Sequence, residues 1–199
     1  MSVLAAASLT LGIAMMLPRA KPHPACGLGF THVEHFSRDH GGPDYARWRG
    51  YAGTLQTMGE PSLACATDTP VYRFLWMRTF HHPVAVRVER DGDDWRVTAV
   101  ELDGAGGYDP GDVLRRVERT LTSYEALQLE ALLARVDVWG SPVAQTDMGL
   151  DGSMWIIEAR DGARSRIHDA WTPAQGRERA IGLMFLSFTG WSFPPDALY

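Results

Sequence analysis

Lysine is almost missing from this chain: Lys21 is the only one, and every other basic side chain is arginine. Such a bias is what a GC-rich coding sequence produces, so an arginine at a given position does not by itself mark a site. Positive charge is also in deficit. The 19 basic residues face 24 acidic ones for a formal charge of -5, which excludes the chain-wide cationic surplus that nucleic-acid binding requires. Cysteine is scarce, with Cys26 and Cys65 alone, so this is not a disulfide scaffold. At 199 residues the chain needs none, because a domain of this size buries roughly two-thirds of its unfolded surface. A long hydrophobic run is lacking too. The longest apolar stretch, Val3 to Leu17, has fifteen residues interrupted by Ser8, Thr10 and Gly12, short of the ~20 that a stable membrane span needs.

That short run suits the apolar core of a secretory signal, and residues 1–20 are read as a leader that delivers the protein to the periplasm or outside the cell. The fit is incomplete. No Lys or Arg precedes the run, and the cleavage position Pro18-Arg19-Ala20 has proline where a small residue is usual. Cys26 follows His23-Pro24-Ala25, without the leucine of a lipoprotein site. The alternative is an uncleaved leader that anchors the chain to the membrane. In an oxidising compartment Cys26 and Cys65 are expected to form one disulfide.

Residues 21–69 are punctuated by glycine and proline without sustained period, and read as a loop-rich segment with a short helix near Asp44 to Arg49. Regular structure is expected over 70–191, followed by a tail at 192–199. Val71 to Thr79 alternates, with Tyr72, Phe74 and Trp76 on one side. Val84 to Arg90 and Trp95 to Leu102 flank Asp91-Gly92 as a hairpin, and Val113 to Thr120 reads as a further strand. Thr122-Ser123-Tyr124-Glu125 is a capping box opening a helix to about Val136, with Leu127, Ala131 and Ala134 along its apolar line and Leu132, Leu133 and Val136 widening it. A second hairpin turns at Asp161-Gly162. Thr172 and Pro173 are expected to start a last helix that stops at Gly190. The predicted fold is α+β: a single antiparallel sheet of five or six strands with two helices packed on one face.

The run from Tyr72 to Gly190, especially Glu101 to Tyr108, Gly149 to Gly152 and Trp155 to Pro173, resembles uncharacterised bacterial proteins. The resemblance implies one contiguous domain and carries no known activity.

Few residues are grouped as a chemical site would need. His32, His35 and His40 could serve as metal ligands in a hydrolase, but they lack the helical HExxH pattern, and a solvated histidine-rich loop accounts for them as well. His81 and His82 precede Pro83, and adjacent strand residues point to opposite faces, so they read as turn histidines. The glycine-rich stretch from Asp103 to Asp112 repels phosphate with its aspartates and lacks the ligand order of a calcium loop. There is no GxSxG elbow, and nothing calls for a cofactor. The remaining candidate is a surface. Arg164, Arg166 and His168 share one side of their strand, and Arg160, with Glu158, joins them if the hairpin register allows; Arg87 and Arg96 extend the patch. The expected function is therefore an exported, non-catalytic binding or interaction module that presents an exposed arginine-lined sheet face to an anionic ligand or a protein partner.

Mass analysis of the purified protein tests export and the disulfide together. The expected mature mass begins after residue 20 and, without reductant, lies two hydrogens below the reduced value. A full-length, reduced chain in the cytosolic fraction refutes both.

Overall fold

The alternation of Tyr72, Phe74 and Trp76 against Leu75 and Met77 produces two buried faces, because apolar residues lie on both sides of this strand. The computed structural model describes residues 43–63, 67–141 and 149–199. Its strands are β1 (Thr67–Arg78), β2 (Val84–Asp91), β3 (Asp94–Leu102), β4 (Val113–Thr120), β5 (Ser153–Gly162) and β6 (Arg164–Trp171). Three helices accompany them among the described residues: α1 (Pro43–Thr57), α2 (Ser123–Arg135) and α3 (Arg177–Phe188). The strands form one antiparallel sheet in the order β4-β3-β2-β1-β5-β6. The α+β fold with a single sheet is as the sequence predicts. No helix among the described residues is long and apolar enough to cross a membrane.

Both hairpins turn through two residues. Asp91 pairs with Asp94 and Asp161 with Arg164, leaving Gly92-Asp93 and Gly162-Ala163 as the loops. Gly92 has φ 63° and Gly162 has φ 54°, while neither second residue has positive φ. Glycine at positive φ in the first loop position is the type II′ turn, whose twist matches that of the strands it joins.

One sheet face carries Tyr72, Phe74, Trp76, Val86, Val88, Trp95, Val97, Trp155 and Ile157, covered by α2 and α3. From α2 it receives Leu129 and Leu132, whereas Leu127 is exposed. The predicted stripe is thus rotated about the helix axis: Leu132, Leu133 and Val136 face the core, and the line through Leu127, Ala131 and Ala134 is exposed. The capping box that starts α2 is present, with Thr122 N donating to Glu125 Oε2 at 2.8 Å and Glu125 N to Thr122 Oγ1 at 3.2 Å. Arg119 grips the same carboxylate and, with the Thr122 bonds, holds it well down, at about 2.

The opposite face is also covered. Helix α1 runs fifteen residues, far beyond the short helix expected near Asp44 to Arg49. It lays Trp48, Ala52 and Leu55, followed by Met58 just past its end, on Leu75, Met77, Val100, Leu102, Met154 and Ile156. Its apolar positions are interspersed with Gly50, Gly53 and polar residues, which hides the stripe in the sequence. The final helix is corrected at its start. Thr172 Oγ1 accepts from Ser153 N at 3.0 Å, and Thr172 N donates to Ser153 O at 2.7 Å, so this residue closes the β5–β6 ladder rather than capping a helix. Helix α3 begins four residues beyond Pro173, at Arg177, with Gly176 at its N-cap. Gly190, at φ 71°, ends it as expected.

Two glycines in helices have opposite surroundings. A Cβ on Gly182 of α3 would sit 2.5 Å from the Trp155 ring and 2.9 Å from Phe74, whereas one on Gly50 of α1 meets nothing within 4 Å. Gly182→Ala is expected to destabilise, because overpacking costs about 1–3 kcal/mol against the ~1 kcal/mol that helix propensity returns. Gly50→Ala is expected to stabilise by about 0.5–1 kcal/mol. Urea denaturation of the two variants should give shifts of opposite sign.

Candidate functional site

The strand alternation that builds the α2/α3-side core continues, at one end of the sheet, onto polar residues. The series Tyr72, Phe74, Trp76 reaches Arg78 on β1, and Trp95, Val97, Ala99 reaches Glu101 on β3. In β4 the inward Val117 is followed by Arg115, and in β5 Ala159, Ile157 and Trp155 lead to Ser153. The pairings Arg78↔Ser153 and Glu101↔Arg115 set these groups side by side. The chain after α3 folds back over them. Phe193 meets Trp76 edge-on at 5.6 Å, and the Tyr199 carbonyl accepts from Trp155 Nε1 at 2.9 Å and Trp76 Nε1 at 3.3 Å.

Between this tail, the β1–β2 connection and the sheet end lies a cleft of about 360 Å³ lined by Arg78, Phe80, His82, Glu101, Arg115 and Phe193, among others. Glu101 is buried and contacts Arg115, Arg78 and His82. Arg115 Nε donates to Oε2 at 2.5 Å, while Arg78 Nη2 and His82 Nδ1 lie 3.5 and 3.6 Å from Oε1. Arg78 stacks 4.1 Å over Trp76 and donates from Nε and Nη2 to the His82 carbonyl at 3.0 and 2.6 Å. Burial lowers its pKa to about 10, with Glu101 offsetting only part of that desolvation. Arg115 stacks 4.2 Å over Trp191. Arg78 Nη1 and both terminal nitrogens of Arg115 have no hydrogen-bond partner among the described residues. The cleft thus presents three unused guanidinium nitrogens beside a single buried carboxylate. His81 faces away from Glu101, with Nδ1 2.6 Å from the Tyr199 hydroxyl.

A second, wider groove of about 720 Å³ opens on the α1 side of the same sheet end, lined by Tyr51, Thr54, Thr57, Thr79 and Tyr108 among others. Its threonine hydroxyls donate to backbone carbonyls of Gly50, Gly53 and Gly152, and Thr79 Oγ1 also accepts from Gly152 N at 3.3 Å, which leaves the lone pairs of Thr54 and Thr57 as acceptors. Burial pushes the Tyr51 phenol up to about 12, so it keeps its proton. Phe80 of the cleft and Tyr108 of the groove stack at 6.0 Å and 30° with both rings exposed, forming an aromatic bridge between the two concavities.

The arginine-lined face is distributed differently from expectation. The register pairs Arg160 with Ser165 and Arg166 with Ala159, so Arg160 and Glu158 lie on the α1 side, while Arg164, Arg166 and His168 lie on the α2/α3 side. Arg87 and Arg96 also fall on the α1 side, beside Arg73 and Glu89. The grouping assumed a pairing one residue out of register, and a one-residue slip exchanges faces. Arg164 and Arg166 remain exposed on edge strand β6. Arg164 stacks 4.2 Å over Trp139, and Arg166 Nε donates to the Trp139 carbonyl at 3.1 Å, so both hold the segment after α2. His168 is buried, with Nε2 donating to Val138 O at 2.7 Å. His32, His35, His40, Cys26 and Cys65 lie outside the described residues. Among the described residues no group of three or more His, Cys, Asp or Glu side chains is placed to hold a metal ion. Sequence reasoning missed the Arg78–Glu101–Arg115 cluster. Its signal was available: charged residues occupy inward positions at the same end of β1, β3 and β4. No family model, curated protein or solved structure matches the chain.

His168 gives a pH prediction. Burial is the main cause lowering its pKa from 6.5, so the unfolded chain binds its proton at a higher pH than the folded one. Stability should therefore fall as pH drops below about 6.5, since protonation favours the unfolded state. His168→Gln should flatten the melting temperature over that range, and a slope equal to that of the parent protein would assign the effect elsewhere.

Proposed function

We propose that the protein is a binding module for an acidic saccharide, held across the sheet end with a carboxylate in the Arg78–Arg115 cleft. The observation that carries this reading is the convergence of three unused guanidinium nitrogens on one cleft whose own buried carboxylate, Glu101, is already engaged. A ligand carboxylate would accept from Arg115 in the forked geometry that guanidinium groups favour. It would also return to Arg78 part of the charge stabilisation lost on burial. The exposed Phe80–Tyr108 pair offers an apolar plane for the C–H face of a sugar ring, and the hydroxyl-lined groove beyond it suits neutral hydroxyls.

Binding rather than catalysis is proposed because Glu101, the buried carboxylate of the cleft, is held by cations instead of being poised as a base or nucleophile. Export by the leader over residues 1–20, with Cys26 and Cys65 bonded, belongs to the same proposal, since it delivers the module to where acidic polysaccharides occur. The binding surface is proposed at the sheet end rather than on the arginine-lined face because the β5–β6 register divides those arginines between the two faces.

Calorimetric titration with hexagalacturonate at low salt tests the proposal, with maltohexaose as the neutral control. Arg115→Gln should weaken binding by about tenfold or more, the value of a charge-assisted hydrogen bond of ~1.5–3 kcal/mol. Phe80→Ala with Tyr108→Ala should weaken the hexamer more than the galacturonate monomer. Absence of binding by the parent protein, equal binding of the neutral sugar, or an unchanged affinity in Arg115→Gln would overturn it.

A further inference from the structure

The charged side chains on the α1 side of the sheet are linked by hydrogen bonds, with one exception. Arg73 Nε donates to Glu158 Oε2 at 2.6 Å and Nη1 to Pro61 O at 2.6 Å. Arg87 Nε donates to Glu60 Oε2 at 3.1 Å, and Glu60 also lies 3.6 Å from Arg73. Arg87 also donates to Glu89, so Arg73 and Arg87 are both engaged by carboxylates. Arg160 lies two residues from Glu158 on the same strand face, is only 7% exposed, and has no ion pair among the described residues. Its Nε is buried without a hydrogen-bond partner there. A buried N–H without an acceptor is costly, so this one points to an acceptor that binds.

The surroundings indicate which partner. Thr67 stands opposite Gly162, two residues from Arg160, so its side chain belongs to the same sheet face; its Oγ1 is also buried and unpartnered. Ser165 is the cross-strand neighbour of Arg160 on β6 and supplies a second hydroxyl on that face. Between Thr67 and Val71 the register shifts, interrupting the ladder beside these groups. The charged groups facing the spot are Glu158 and Arg73 from the sheet and Glu60 from the segment after α1, and these satisfy one another. Asp161 and Arg164 project from the other face.

We propose that Arg160, Thr67 and Ser165 form a binding site for a phosphate-type oxyanion. A tetrahedral oxyanion presents acceptors in several directions and can take the guanidinium N–H and both hydroxyl protons at once. The site is independent of the saccharide cleft: it lies on the opposite face, seven residues along β5 from Ser153, or about 23 Å at 3.3 Å per residue.

Thermal unfolding of the full chain in phosphate, sulfate, acetate and glycerol 3-phosphate, at constant ionic strength with chloride, tests the site. Phosphate and sulfate should raise the melting temperature saturably, and acetate should not. Arg160→Met should abolish the response while leaving the chloride melting temperature equal or higher, since it removes a buried N–H that has no acceptor. Thr67→Ala should weaken the apparent affinity about tenfold, the value of one hydrogen bond to a charged group. If Arg160→Met fails to fold, Arg160→Lys is the second variant, expected to keep the fold and bind more weakly. Tighter binding of glycerol 3-phosphate than of phosphate identifies a phosphomonoester as the natural source, and the reverse identifies the free ion; both support the site. No response in the parent protein, an equal response to acetate, or the same response in the Arg160 and Thr67 variants as in the parent would overturn it.

Discussion

Trp155 is enclosed from every direction, and the arrangement of the domain follows from that enclosure. Phe74 and Trp76 of the central strand stand 5.1 and 5.4 Å from its ring. Helix α3 presses on it at Gly182, the position where no side chain fits. Its indole N–H reaches Ser153 Oγ at 2.9 Å and the Tyr199 carbonyl at 2.9 Å, tying the end of the described chain to the sheet. A buried indole needs a partner for its single donor, and the tail supplies one. One side chain therefore fixes the helix crossing, the β1–β5 register and the path of the tail.

The cleft inherits its rigidity from this arrangement. Phe193 packs on Trp76 because the tail is drawn back to Tyr199, and Arg78 is confined between Trp76 and Phe193. Arg115 lies against Trp191 in the same way. Aromatic faces thus hold both guanidinium groups in place before any ligand arrives, which reduces the ordering entropy that binding must otherwise overcome. The positive charges stay near a sheet end because rigid strands and stacked rings leave them few other positions.

Much of the fold was legible in residue order, because strand alternation and glycine turns are local signals. Tyr72, Phe74 and Trp76 identified a buried face, Asp-Gly pairs located both hairpins, and Thr122 with Glu125 located a helix start. What failed depends on distant partners. Helix α1 has a diluted apolar pattern and is stabilised by contact with Leu75, Val100 and Met154, which no local window contains. Thr172 had the composition of a helix cap but was engaged by Ser153. The arginine face failed through register, since only the β5–β6 pairing decides which side Arg160 takes. Glu101 carries no local mark of burial, and its burial follows from Arg78 and Arg115 arriving from two other strands.

The rims of the sheet carry a different consequence. Strand β4 is exposed along most of its length and bears Arg115, Arg116, Glu118 and Arg119 in close succession, while β6 opens with Arg164 and Arg166. An open strand edge is a template on which another copy of the chain can extend the sheet, and desolvating a row of guanidinium groups opposes that step. The chain's preference for arginine, uninformative about function at any single position, guards both rims. Crowded copies can meet there without their sheets joining edge to edge.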